Sequence, residues 1–281
     1  MLLWSTVATA FKLGLKTLSP IELLSGAHGV AALTLLLGIA LTGRWHRLRA
    51  FSLTDHRRAL LLGLLNPWLY YLVLFEAYDR LPAQVAQALN YTWALTLTLL
   101  AIPVLGHRLR KLELGAMLLA WFGAAIIATG GSTEGLTVDD PLGVALALGS
   151  TVLWASYWLL AARSTTPPVE TLTLAFTYAL PFTVATAFLS GARLPEDPVA
   201  WGAILWTGLA EMAISFVLWL LALQRAGSTA GIASLIFLAP FLSLLWLEQI
   251  LGEALRPATP LGLAIIVLGL VLRSRVSALK A

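Results

Sequence analysis

No cysteine occurs among the 281 residues. That excludes disulfides, a thiolate nucleophile and any Cys-type metal site, and it leaves the redox compartment unmarked. Charge is scarce too: 11% of residues are Asp, Glu, Lys or Arg, against roughly a quarter in an ordinary soluble domain. Also missing are a phosphate-binding glycine-rich loop with its Lys, a His-Glu-x-x-His run and a Gly-x-Ser-x-Gly elbow. ATP-driven work and the common hydrolytic schemes therefore have no sequence support, and no catalytic residue, metal ligand or cofactor is assigned. The net charge of +4 is spread through short loops instead of along one stripe, which speaks against a nucleic-acid partner.

What the chain does have is apolar sequence, 59% of it, in runs of about 20 residues, the length a helix needs to cross a bilayer. Lipid is the expected solvent. Splitting at charges and Pro/Gly clusters gives spans near Leu2–Leu18, Ile21–Thr42, Ala59–Tyr78, Ala83–Leu105 and Leu112–Thr129. Five more follow at Pro141–Ala162, Thr171–Leu189, Val199–Leu223, Thr229–Leu251 and Pro260–Leu272. The runs are continuous, whereas barrel strands alternate apolar and polar residues. The expected fold class is therefore an all-α membrane protein of ten transmembrane helices. Lys12 and Lys16 follow the first apolar run instead of preceding it, so Met1–Leu18 reads as a retained helix and not as a signal peptide.

The basic residues fall unevenly between the two sides. Arg44 to Arg58, Arg108 to Lys111, Arg163, Arg225 and Arg273 to Lys280 share one side, against Lys16, Arg80, Arg193 and Arg256 on the other. The positive-inside rule makes the first side cytoplasmic, with both termini on it and Glu134 to Asp140 outside. Trp201 and Trp246 fall near outer helix ends, where an indole suits the lipid interface.

A shift of roughly 145 to 150 residues lines up one half with the other. Leu3-Trp4 recurs as Leu153-Trp154, Ser19-Pro20-Ile21-Glu22 as Pro167-Pro168-Val169-Glu170, and Leu114-Gly115 as Leu261-Gly262. Residues 1–130 and 141–275 are read as two repeats. Because each has five spans, the copies point in opposite directions, and such inverted repeats enclose a site near the bilayer midplane.

Leu3-Trp4 with Phe11-Lys12, Leu18-Ser19-Pro20 and Leu251-Gly252-Glu253 resemble the drug/metabolite transporter superfamily, as two EamA-type units over nearly the whole chain. Tyr70-Tyr71, Asn90-Tyr91-Thr92-Trp93 and the Pro103-to-Arg108 segment are similar to its aromatic-amino-acid exporter branch. The resemblance implies a ten-helix exporter of small metabolites in a bacterial inner membrane. It also implies a central cavity lined by the third, fourth, eighth and ninth helices with parts of the first and sixth. One departure is Gly106-His107, where many such units carry Gly-Glu.

Polar and aromatic stripes on apolar helices mark the candidate site. On the fourth helix Gln84, Gln87, Asn90, Tyr91 and Thr98 share about a third of the circumference at 100° per residue, with Trp93 at the edge. They either line a cavity or bond neighbouring helices. The sixth helix carries Ser150, Trp154, Tyr157 and Trp158, rings suited to a flat ligand or to packing. Asn66, Pro67 and Tyr70 mark a kink in the third helix. Glu76 and Glu248 lie close enough to outer ends to reach water. Lys12 either snorkels outward or meets a substrate carboxylate. Glu211 has no exit from the eighth helix, where Gly208, Ser215 and Ala222 share its stripe. It is read as an ammonium partner, as a proton carrier for ion coupling, or as a protonated interhelical link.

The expected substrate-binding set is thus Lys12, Tyr70, Gln87, Asn90, Tyr91, Trp93, Trp154, Tyr157, Trp158 and Ser215, with Glu211 for ion coupling. The function expected is secondary export of amino acids, aromatic or otherwise neutral, by alternating access. Export of other small metabolites or drugs keeps the same fold. A receptor or a membrane enzyme explains the inverted repeat less well. Ala116, Ala120, Ala124 and Ala128 permit a close helix contact within or between subunits, so the oligomeric state stays open.

Overall fold

Proline and short polar side chains start the helices. The computed structural model describes residues 1–105, 111–131, 139–225 and 238–278, all helix and connecting turn, with no strand among them. Helix α1 is Leu2–Gly14 and α2 is Pro20–Leu41, where Pro20 stands in the first turn and the Glu22 carboxylate accepts the Ser19 N–H at 2.9 Å. Helix α3, Leu53–Arg80, opens on a reciprocal cap between Ser52 and Asp55. Helix α4 comes in two parts, Ala83–Asn90 and Trp93–Leu105, and α5 is Lys111–Ala128. In the second half α6 is Pro141–Ala161, capped by Asp140, and α7 is Pro168–Leu189. Helix α8 runs through Pro198–Trp206, Thr207–Ser215 and Phe216–Arg225, with Asp197 as its cap. Leu238–Leu251 and Ala258–Ala278 are α9 and α10.

Among the described residues six helices are long and apolar enough to cross a membrane: α2, α3, α4, α6, α7 and α8. Their ends differ from the sequence reading in physically simple ways. Helix α3 begins at Leu53 and not near Ala59, because the Ser52 cap outweighs the polarity of His56, Arg57 and Arg58. Helix α1 stops at Gly14, short of Leu18, and the chain turns before Pro20. The first part of the expected Thr229–Leu251 span, the Gly106-His107 departure and Glu134 lie outside the described residues.

The larger helix contacts follow one exchange. Helix α2 lies against α7, and α5 against α10. Helix α3 touches α6 and α7 as α8 touches α1 and α2, while α1 meets α9 as α6 meets α4. Exchanging every helix with the one five places along maps this set onto itself. The tightest approaches obey the same exchange. A Cβ at Gly63 of α3 would run into the Ala175 carbonyl of α7, and one at Gly208 of α8 would stand 2.6 Å from the Ala27 carbonyl of α2. Between α5 and α10, Gly123 and Gly262 face each other with equally little room. In lipid, where burial drives little association between helices, such backbone proximity is a main source of attraction.

Small polar links tie the halves together at the loops. Glu22, at the start of α2, accepts the Arg193 N–H of the α7–α8 loop at 2.7 Å, and Glu170, at the start of α7, takes Arg47 of the α2–α3 loop at 3.2 Å. Buried His28 joins α2 to α7, with one ring nitrogen 2.8 Å from Thr183 Oγ1 and the other 2.8 Å from the Phe176 carbonyl. Substituting Gly208 with Ala is expected to force α2 and α8 apart and destabilise by about 1 to 3 kcal/mol, although Ala favours helix by about 1 kcal/mol. Gly202, on the same helix with open space around it, should accept Ala with no loss. Thermal unfolding of the two variants in one detergent checks the contrast.

Candidate functional site

Three helices lose regular geometry at one level of the bundle. In α3 the helix kinks within Leu64–Leu69, where Asn66 is extended (φ −148°, ψ 118°) ahead of Pro67, which has no N–H to donate. In α8 the stretch Thr207–Ser215 is wide and contains Glu211. In α4 the helix breaks at Tyr91–Thr92, where the Thr92 hydroxyl donates to the Leu89 carbonyl at 2.7 Å and competes with the regular ladder. Wide turns of this kind gather at functional sites.

The irregular segments border a central chamber of about 80 Å³, lined by Trp4, Val7, Phe11, Tyr70, Leu74, Tyr78, Gln87, Asn90, Tyr91, Trp93, Trp154 and Glu211. Its walls are mostly rings. Trp154 stacks on Tyr70 with centroids 4.6 Å apart, Trp93 stands edge-on to it at 6.4 Å, and Phe216 does the same from α8 at 5.6 Å.

Polar groups sit at fixed points in this lining. The Tyr70 hydroxyl donates to Asn90 Oδ1 at 3.3 Å, and Asn90 Nδ2 donates to Ser150 Oγ at 2.9 Å, so the amide is held between α3 and α6. Glu211 is 8% exposed; its Oε1 accepts the Tyr71 hydroxyl at 2.9 Å, and its buried Oε2 has no partner. A buried carboxylate oxygen without a donor is expensive, and it points to a ligand or a proton as the missing partner.

Of the residues expected at the site, Tyr70, Gln87, Asn90, Tyr91, Trp93, Trp154 and Glu211 come together around the chamber. Tyr157 and Trp158 do not border it; they line a second cavity, separated from the first by Trp154. Lys12 is partly exposed, in the field of Glu253 and Asp79, and stands outside the lining. Ser215 is buried in α8 away from the chamber. Gln84 also leaves the expected stripe, donating to the Ala254 carbonyl and accepting the Arg256 N–H. Glu253 from the same loop caps the Ala83 and Gln84 N–H groups. Thr98 spends its hydroxyl on the Ala94 carbonyl. Trp246 likewise bonds Ser5 of α1 and is no free interface anchor.

Sequence reasoning expected part of α1 at the cavity but missed which of its faces lines it. Trp4, Val7 and Phe11 recur at helical spacing, as do Tyr70, Leu74 and Tyr78, and that periodicity was the available signal. Lys12 drew attention to the neighbouring face because charge is conspicuous in an apolar run.

Apolar helices packed by an exchange-symmetric plan around a polar and aromatic chamber define a multi-pass membrane protein. The chain belongs to the EamA-like transporter family, whose model matches residues 1–129 and 141–275. That match supports the drug/metabolite transporter superfamily. A solved structure described only as "Crystal structure of protein" shares the fold at a TM-score of 0.68 and 22% identity, covering 100% of this chain and 96% of the other. No curated protein matches the chain.

Proposed function

We propose that the protein is a secondary exporter of neutral, chiefly aromatic, amino acids that works by alternating access around the central chamber. The observation that carries this reading is the unpartnered Glu211 oxygen on a wall otherwise made mostly of rings and amides. A zwitterion suits that arrangement. Its ammonium meets Glu211, its carboxylate meets the Gln87 amide, and its ring lies against Tyr70, Tyr91, Trp93 and Trp154. The same carboxyl is placed to carry a coupling proton, a use that justifies an insertion penalty of about 2.5 to 3.5 kcal/mol.

In this reading α1 to α10 all cross a bacterial inner membrane. Residues 1–130 and 141–275 are inverted five-helix repeats with both termini in the cytoplasm. Support comes from the exchange-symmetric packing, from irregular segments of α3 and α8 at matching places, and from a family match in two segments. Single-cysteine labelling tests the topology on a background that has no cysteine. Exposed Ser190 changed to Cys is expected to react from outside intact cells, and exposed Ala50 changed to Cys only after permeabilisation; the opposite pattern reverses the orientation.

Transport is tested in proteoliposomes with labelled phenylalanine, leucine and alanine, with and without a pH gradient. Phenylalanine is expected to move fastest and to respond to the gradient, whereas failure of all three alongside transport of a dye or nucleoside would give the chain to another cargo class. Glu211→Gln preserves size and hydrogen bonding but removes the titratable group, so pH dependence is expected to vanish in a folded protein. An unchanged rate and pH profile would reduce Glu211 to a structural link.

The aromatic wall predicts selectivity. A buried ring pair contributes about 0.5 to 1.5 kcal/mol beyond area burial, so Trp154→Ala should lower the phenylalanine-to-alanine transport ratio several-fold. Trp201→Ala removes a 43% exposed indole that bonds Pro195, and the ratio should stay put. Equal ratios in two well-folded variants would remove Trp154 from recognition.

A further inference from the structure

The aromatic run of α6 has two sides. Trp154 borders the central chamber, while Tyr157 and Trp158, one turn nearer the α6–α7 loop, border a separate cavity of about 220 Å³. Trp154 stacks on Tyr157 at 5.8 Å and 23° and meets Trp158 edge-on at 5.8 Å, so a single block of rings is the partition between the two spaces. The second cavity is further lined by apolar side chains of α3, α7 and α8 and by the hydroxyls of Ser164, Thr166 and Thr171.

Those hydroxyls form a directed chain. Thr171 donates to the Pro167 carbonyl at 2.9 Å, so the 2.6 Å contact with Thr166 uses the Thr166 proton, and the 2.7 Å contact beyond it uses that of Ser164. Every proton points away from Ser164, whose oxygen is left as a pure acceptor. Trp158 supplies the complement: its Nε1–H is buried and has no acceptor in the protein. One wall thus offers an acceptor and another a donor, with rings between them. That pattern takes an ammonium, a carboxylate and a flat side chain at once.

We infer that this cavity is a second station for the same zwitterionic cargo, on the α6–α7 loop side of the ring partition, with Trp158 holding the carboxylate and Ser164 the ammonium. The inference rests on the amino-acid reading of the central chamber. In the proposed topology it lies on the cytoplasmic side and loads the transporter before the Trp154–Tyr157 stack opens.

Two reporters separate the stations, read by N-ethylmaleimide labelling of the full chain in nanodiscs with phenylalanine as the probe. Val7→Cys reports on the central chamber, and Ala175→Cys, in the wall of the second cavity, on the new site. Should Ala175→Cys fold poorly, partly exposed Ala161→Cys in the same wall replaces it. Phenylalanine is expected to slow labelling of both. Adding Trp158→Phe, which keeps a ring but deletes the N–H, should raise the half-protecting concentration about tenfold at the second reporter, the worth of one hydrogen bond to a charged group. Protection at Val7→Cys should be unaltered. Protection at Val7→Cys alone would overturn the second station and leave the central reading standing. Protection at neither reporter would overturn both, and an equal effect of Trp158→Phe on the two reporters would make Trp158 a packing residue.

Discussion

Hydrocarbon offers no hydrogen bonds, so every backbone N–H and C=O at membrane depth must be answered within the protein. Irregular backbone survives there only where other helices cover it or where it lines an enclosed space. The kink in α3, the wide turn of α8 and the break in α4 all meet that condition beside one chamber. They also aim the side chains: Tyr70 and Tyr71 follow the α3 kink, and Glu211 sits inside the α8 turn. The departures from helix geometry and the chamber are therefore a single feature, packed between α1, α2, α6 and α7.

The exchange of helices five apart explains why so much detail comes in pairs. Gly63 against Ala175 and Gly208 against Ala27 are one contact made twice. At the same offset Glu211 corresponds to Asn66, and each brings a buried polar group to an irregular segment. One member is ionisable and the other is not, so only one of the two copies carries a titratable group there.

Apolar run length and the prolines at 20, 141 and 198 made most helix positions legible. The start of α3 was hidden because His56-Arg57-Arg58 reads as loop by polarity, while the Ser52–Asp55 cap decides the structure. The fourth-helix stripe was read at a constant 100° per residue, an assumption that fails at the Tyr91–Thr92 break and strands Thr98 away from Gln87. The aromatic stripe of α6 was visible in full, but nothing in its spacing reveals that Trp154 serves one space and Trp158 another. Trp4, Val7 and Phe11 escaped notice because an apolar wall facing a chamber and one facing lipid use the same residues.

The paired loop ties differ in what they ask of evolution. Glu170 holds the guanidinium of Arg47, whereas Glu22 holds the main-chain N–H of residue 193. A main-chain donor is supplied by every amino acid except proline. Position 193 can therefore drift through nearly the whole alphabet without loosening its half of the molecule, while position 47 needs a long cationic side chain. One duplicated contact thus asks for a matched pair of side chains at one loop and for a single glutamate at the other.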